Sequence, residues 1–186
     1  MDDLLKQIYG PDVGQAGRLP YRVFSDGKGE SYGLTRVEHW PGVKGQTSEV
    51  MPTDMKLWGF VGVTVEDYKR PIAEQMVRIC WTGIDIDAED NGDGRFDVER
   101  AAYKVFNLMP KSIIRTSKSG RGLHVILPWG IDAYPRPWSQ AKMEAKHDTA
   151  VHVKRLIDEG IIPCVFGLVN MWLFSEGGKQ RTLWPA

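Results

Sequence analysis

The sequence predicts an α+β domain in which helices pack on a largely antiparallel sheet. Three observations carry that reading. From residue 78 onward the apolar spacing changes between strand and helix periods in the order strand, helix, hairpin, helix, strand. The connection from Asp87 to Ser112 contains a helix, as a crossover between two strands of one sheet does. The 186 residues are enough to bury one domain, read here as a single unit with a β-rich N-terminal part over 1–77 and a core over 78–175.

Each element has its own signal. Leu4, Leu5 and Ile8 fall at helical spacing over residues 1–9, and Gly10-Pro11 stops that helix. Short β segments are expected at Tyr21–Phe24, Ser31–Val37 and Leu57–Val65, with turns at Asp26-Gly27 and Pro41-Gly42 and a break at Pro52. His39, Trp40 and Trp58 are assigned to packing or to a rim. Thr64 is expected to cap a short helical piece that Pro71 breaks or restarts. A strand then runs over Arg78–Asp87, followed by an acidic, Gly-rich loop at Ala88–Phe96. Asp97 is a good N-cap for a helix whose stripe is Val98, Ala101, Ala102, Val105, Phe106 and Met109, and Pro110 ends it. Ser112–Thr116 and Leu123–Trp129 form a hairpin, with His124 and Ile126 on one face and Leu123, Val125 and Leu127 on the other. Pro137 suits the first position of a long helix that reaches about Glu159, with Met143, Ala150, Val153, Leu156 and Ile157 facing inward and Gly160 beyond its end. Ile161–Val169 and Met171–Phe174 are the last apolar segments, and a polar tail, Ser175–Arg181, follows.

Composition narrows the classes of function. Lys and Arg together number 24, as do Asp and Glu, so any basic surface is local. No run of ~20 apolar residues exists, which predicts no membrane span. Met1-Asp2-Asp3 lacks the basic-then-apolar pattern of a signal peptide. Cys80 and Cys164 each sit in an apolar run and read as buried thiols, not as a disulfide or a metal pair. The expectation is a soluble cytoplasmic protein.

Two stretches suggest chemistry. In Gly83-Ile84-Asp85-Ile86-Asp87 the strand period puts Asp85 and Asp87 on one face and Ile84 and Ile86 on the other, toward a core. Two adjacent carboxylates repel by roughly 4 kcal/mol at ~4 Å near a protein surface. A divalent cation reverses that sign, and oxygen donors suit Mg²⁺ or Mn²⁺. The second stretch is the turn Ser117-Lys118-Ser119-Gly120-Arg121-Gly122 leading to His124. Its glycines allow close backbone approach, Ser117, Ser119 and exposed amides can donate to phosphate oxygens, and Lys118 and Arg121 add charge-assisted contacts. The competing metal reading is a Ca²⁺ loop with Asp87, Glu89, Asn91 and Gly92 at positions one, three, five and six; Val98 then stands where a bidentate Glu is required.

Together and in this order, the two motifs resemble those of the archaeo-eukaryotic primase superfamily, as in phage and plasmid primase-polymerases and the polymerase domain of bacterial DNA-repair ligases. The resemblance covers residues 78–175. It implies an RRM-like sheet on which Asp85 and Asp87 ligate two Mg²⁺ or Mn²⁺ ions while Ser119 and His124 hold a nucleoside triphosphate. The implied reaction is template-directed nucleotidyl transfer in DNA replication, with single-stranded DNA as template. The chain carries no Walker-type phosphate loop, so a replicative helicase would be a separate protein or a further segment. One departure stands out: the family carries a third acid on the strand after the long helix, and Ile161–Val169 has none. Asp148, Asp158, Glu159 and Glu176 are the acids that could replace it from outside that strand, and Asn170, Lys179 and Arg181 are positioned as nucleotide or template contacts or as solvated tail residues. The alternatives are a non-catalytic nucleic-acid-binding or replisome-interaction module on the same fold, and a metal-dependent phosphoesterase.

Overall fold

The computed structural model describes residues 2–25, 31–32, 57–67, 70–130, 134–175 and 179–185. In chain order its elements are α1 (Asp2–Tyr9), β1 (Leu19–Ser25), β2 (Ser31–Tyr32), β3 (Leu57–Val65), β4 (Met76–Ile79), β5 (Trp81–Ile86) and α2 (Val98–Leu108). After these come β6 (Ile113–Thr116), β7 (Leu123–Pro128), β8 (Arg136–Pro137), α3 (Trp138–Asp158), β9 (Val165–Gly167), β10 (Met171–Ser175) and β11 (Thr182–Trp184). The fold is α+β, and every strand pairing among the described residues is antiparallel.

The strand expected at Arg78–Asp87 is divided between two sheets at Cys80. The Cys80 N–H donates to the Gly62 carbonyl of β3 at 2.8 Å, and the Cys80 carbonyl accepts from Trp129 beyond β7 at 2.8 Å. One residue thus spends its two backbone groups on different sheets. The first sheet has the order β2-β1-β3-β4-β8, and β10 shares the edge of β3 with β4: β10 pairs with the Leu57–Phe60 end, β4 with Val63 and Thr64. The second has the order β11-β6-β7-β5-β9. There β5 and β6 are both antiparallel to β7, so they run parallel to each other and α2 makes the crossover between them.

Apolar side chains sort onto faces as the strand period requires. Ile84, Ile86, Leu123 and Val125 face α2 and α3, where they meet Ala101, Val105, Val153 and Leu156. Trp81 and Ile126 face the other way, toward Leu5, Ile8 and Tyr9 of α1 and Met171 and Leu173 of β10. A third cluster joins Val61, Val63, Val77 and Ile79 of the first sheet to Ala141 of α3, so α3 spans both sheets.

Several expectations are corrected. Thr64 lies inside β3 and is fully buried; the only helical turn nearby among the described residues, Ile72–Glu74, starts after Pro71. Asp97 caps α2 as expected, accepting from the Arg100 N–H at 3.0 Å. In α3 the inward face is Ala141, Ala145, Thr149, Val153 and Leu156, while Met143 and Ile157 are 68% and 55% exposed and Ala150 also faces solvent. The reason is close approach: a Cβ on Gly167 of β9 would come within 3.7 Å of the Lys146 backbone nitrogen, so the helix meets the sheet on its smallest residues. Thr149 hides its hydroxyl by donating to the Ala145 carbonyl at 2.9 Å. Pro137 precedes the helix by one residue. Gly160, at φ +79°, ends it in a Schellman motif, with Gly160 N–H on the Ile157 carbonyl and Ile161 N–H on that of Leu156, both at 2.9 Å. Only Val165–Gly167 of the segment Ile161–Val169 joins a ladder. The polar tail continues into β11, where Leu183 is buried and Trp184 packs edge-on against Phe106. The turns at Asp26-Gly27 and Pro41-Gly42, Pro52, His39, Trp40 and Glu176 lie outside the described residues.

Candidate metal centre

Register brings the site together. Across the second sheet Thr182 pairs with Arg115, Arg115 with His124, His124 with Asp85, and Asp85 with Val165. Directly opposed residues in an antiparallel ladder share a face. The sheet thus carries a polar row on the face turned away from α2 and α3. One step inward along β5, Gly83 lies beneath Val169 and Met171, so the apolar cover ends just short of Asp85. Asp85 is about a quarter exposed, and Asp87, one step outward, is exposed.

A third donor arrives from the segment between α3 and β9. The Cys164 N–H and S–H both donate to the Asp85 carbonyl, at 2.8 and 2.9 Å. Asn91 holds that segment in place: its amide nitrogen donates to the Asp87 and Ile162 carbonyls at 2.9 Å each, and its oxygen accepts from the Ile162 N–H at 2.8 Å. As a result one ligand atom from each of Asp85, Asp87 and Cys164 lies within 4.8 Å of the other two, a candidate metal-binding cluster. Cys164, expected to be a buried thiol, is a free thiol but only partly buried, and it lies beside the two carboxylates.

The other acids lie elsewhere. Asp158 pairs with Lys154 on the surface of α3 at 2.8 Å. The Glu159 carbonyl accepts from Lys104 of α2 at 3.3 Å, and Asp148 sits exposed on α3, behind the sheet. The loop after Asp87 forms two short 3₁₀ turns, and Asn91 spends its side chain on backbone, which is not the ligand arrangement of a Ca²⁺ loop.

Burial sets the electrostatics. Asp85 is pushed up to about 6, first by burial and then by the charge of Asp87. Burial, then the charge of Arg115, pushes His124 down to about 4. Cys164 is pushed up to about 12 by burial and by both carboxylates. His124 Nε2 lies 3.6 Å from Asp85 Oδ1, within ion-pair range. An ion pair would lower the acid and raise the base, and both groups move the opposite way, so His124 is best described as a neutral ring beside the carboxyl. At 3.6 Å they are not hydrogen-bonded, and Asp85 Oδ1 and His124 Nδ1 are buried with no hydrogen-bond partner. Two carboxylates, one of them with an unsatisfied buried oxygen, and a thiol are a donor set that fits a divalent cation.

The Gly-rich turn is pressed against this cluster. A Cβ on Gly122 would stand 2.5 Å from the Ile86 carbonyl and 3.3 Å from Asp87 Oδ1, so only glycine fits. Ser117 organises the turn: its hydroxyl accepts from Gly122 N–H at 3.0 Å, its carbonyl from Gly120 N–H at 2.9 Å, and its N–H donates to the Gly122 carbonyl at 2.8 Å. The Ser119 hydroxyl accepts from the Arg121 N–H at 3.2 Å. The Gly120 and Gly122 amides are spent within the turn. Lys118, Ser119 and Arg121 remain exposed at its tip, with Arg121 paired to Asp93. Asn170 packs on Gly59, Lys179 donates its N–H to the Lys118 carbonyl at 2.9 Å, and Arg181 pairs with Glu99.

Comparison with known proteins finds no matching family model, curated protein or solved structure. Among the described residues no helix is long and apolar enough to cross a membrane.

Proposed function

We propose that the protein is a metal-dependent nucleotidyl transferase of the primase-polymerase kind, building or extending a primer on single-stranded DNA from nucleoside triphosphates. The observation that carries this reading is the contact of the carboxylate pair with the Gly-rich turn, Asp87 against Gly122, on adjacent strands. The strand order β6-β7-β5-β9, threaded β5-α2-β6-β7-α3-β9, supports reading this sheet as a split βαβ, RRM-like core.

In this reading Asp85 and Asp87 hold Mg²⁺ or Mn²⁺, and Lys118, Ser119 and Arg121 receive the triphosphate at the turn. His124, expected from the resemblance to hold the triphosphate, is buried beside Asp85 with its Nε2 3.6 Å from Oδ1, and acts on the nucleotide through that carboxyl. When bound, the cations stabilise the attacking and leaving oxygens of an in-line displacement. A 3′-hydroxyl attacks the α-phosphorus, pyrophosphate leaves, and no covalent protein intermediate is required. Both described cysteines are free thiols, which suits a reducing compartment such as the cytoplasm. A helicase that opens the duplex would be a separate protein or a further segment of a longer chain.

The test is labelled nucleotide incorporation on single-stranded DNA with Mn²⁺ or Mg²⁺, comparing the wild type with the Asp85→Ala, Asp87→Ala double variant. Templated products from the wild type alone are expected. Hydrolysis without templated extension would favour a phosphoesterase. DNA binding with no synthesis under any metal would favour a non-catalytic module.

A further inference from the structure

We propose that Cys164 supplies a thiolate ligand to the cation held by Asp85 and Asp87, and that the site therefore prefers transition-metal divalent ions over Mg²⁺. The inference rests on the metal-site part of the reading above and not on the transfer chemistry.

Three observations carry it. The first is place: Cys164 precedes β9, the strand that pairs with β5 at Asp85, so the sheet itself delivers the sulfur to the carboxylates. The second is that the thiol can leave its present partner without cost to the backbone. The Asp85 carbonyl accepts from both the N–H and the S–H of Cys164, and the N–H bond at 2.8 Å remains when the sulfur turns to an ion. The third is the unsatisfied polar lining. Asp85 Oδ1 is buried with no hydrogen-bond partner, and the His124 ring, 5% exposed, turns its Nε2 toward that oxygen at 3.6 Å, too far to bond it. Native interiors rarely leave such groups unsatisfied.

The geometry is close to closed. At metal–sulfur and metal–oxygen lengths of about 2.3 and 2.1 Å, ligand atoms around a tetrahedral ion lie within about 4 Å of one another. The three donor atoms, within 4.8 Å of one another, already approach that spacing. Binding exchanges the Cys164 S–H bond for a sulfur–metal bond, and the proton goes to solvent. Thiolate is a soft donor that Mg²⁺ takes poorly and Zn²⁺, Co²⁺ and Cd²⁺ take well. Two carboxylates and one thiolate leave coordination positions open for water or a phosphate oxygen.

Cd²⁺ is the probe, because a cadmium–thiolate bond has an ultraviolet charge-transfer band that carboxylates do not give. The full chain is titrated without nucleotide or template, by absorbance and by calorimetry, with Mg²⁺ as competitor. The wild type is expected to show the band and to bind Cd²⁺ against excess Mg²⁺. Cys164→Ser should lose the band and about tenfold or more in Cd²⁺ affinity. Cys80→Ser should keep both, and Cys164→Asp should lose the band while gaining Mg²⁺ affinity. No band in the wild type, a band that follows Cys80, or Cd²⁺ affinity unchanged in Cys164→Ser or in Asp87→Asn would each overturn the proposal. Cd²⁺ binding through Cys164 in a protein that makes no primer would uphold this inference and remove the transfer reading.

Discussion

Replacing Asp85 by Asn should stabilise the cation-free protein at neutral pH and leave it unchanged in acid. Folding raises the Asp85 carboxyl from 3.8 to about 6. A raised acid binds its proton more tightly in the native state, so its contribution to stability is fully present below pH 3.8 and is lost as pH rises through about 6. The gap corresponds to about 3 kcal/mol. Asn keeps the shape and cannot ionise, so Asp85→Asn should be about 3 kcal/mol more stable than wild type at pH 7.5. For a domain of this size that is roughly 6–12 °C in Tm. At about pH 3 the two should coincide. His124 has the opposite linkage: folding lowers it from 6.5 to about 4, so its contribution is present above pH 6.5 and lost as pH falls. In the wild type the two slopes offset each other between pH 4 and 6.5, and removing Asp85 should expose the rising slope of His124. Urea denaturation in chelator at a series of pH values reads both effects. An Asp85→Asn variant equally or less stable at pH 7.5, or a difference that does not vary with pH, would refute the assignment of Asp85 as a functional carboxyl held at a cost to the fold.

Four further outcomes are expected. His124→Ala removes the ring packed beside the Asp85 carboxyl, and should raise the apparent nucleotide constant measured with Mn²⁺ more than it weakens template binding, read by calorimetry with each ligand alone. Gly122→Ala should cost about 2 kcal/mol or more in urea denaturation, because the added methyl meets the Ile86 backbone 2.5 Å away and nothing flexible there can yield. Asn91→Ala breaks the three hydrogen bonds that tie Asp87 to the segment before Cys164, and should cost roughly 2 kcal/mol and weaken Cd²⁺ binding. The cap variant Asp97→Ala should cost about 1 kcal/mol with Cd²⁺ binding unchanged.

The second sheet was legible where strand and helix periods were unmixed. Alternation alone set Asp85 opposite Ile84 and Ile86, and His124 opposite Val125, and the cap Asp97 and the stop Gly160 named two helix ends. Three features were hidden, each for a physical reason. The division at Cys80 leaves no mark in the apolar pattern, because a strand that changes sheets remains extended and buried throughout. The inward face of α3 was misread because close packing selected Ala141, Ala145 and Thr149 over larger apolar residues that the surface could hold. The place of Cys164 beside the carboxylates depends on the pairing of β9 with β5, a contact across 79 residues that spacing does not encode.

Crystals grown with Mn²⁺ and a non-hydrolysable nucleoside triphosphate would show, through the anomalous signal of manganese, whether Asp85, Asp87 and Cys164 share a cation beside a triphosphate lying on the Ser117–Gly122 turn. A manganese peak is expected within bonding distance of Asp85, Asp87 and Cys164, with the triphosphate oxygens against Lys118, Ser119 and Arg121. Manganese bound elsewhere, or nucleotide bound away from that turn, would contradict it.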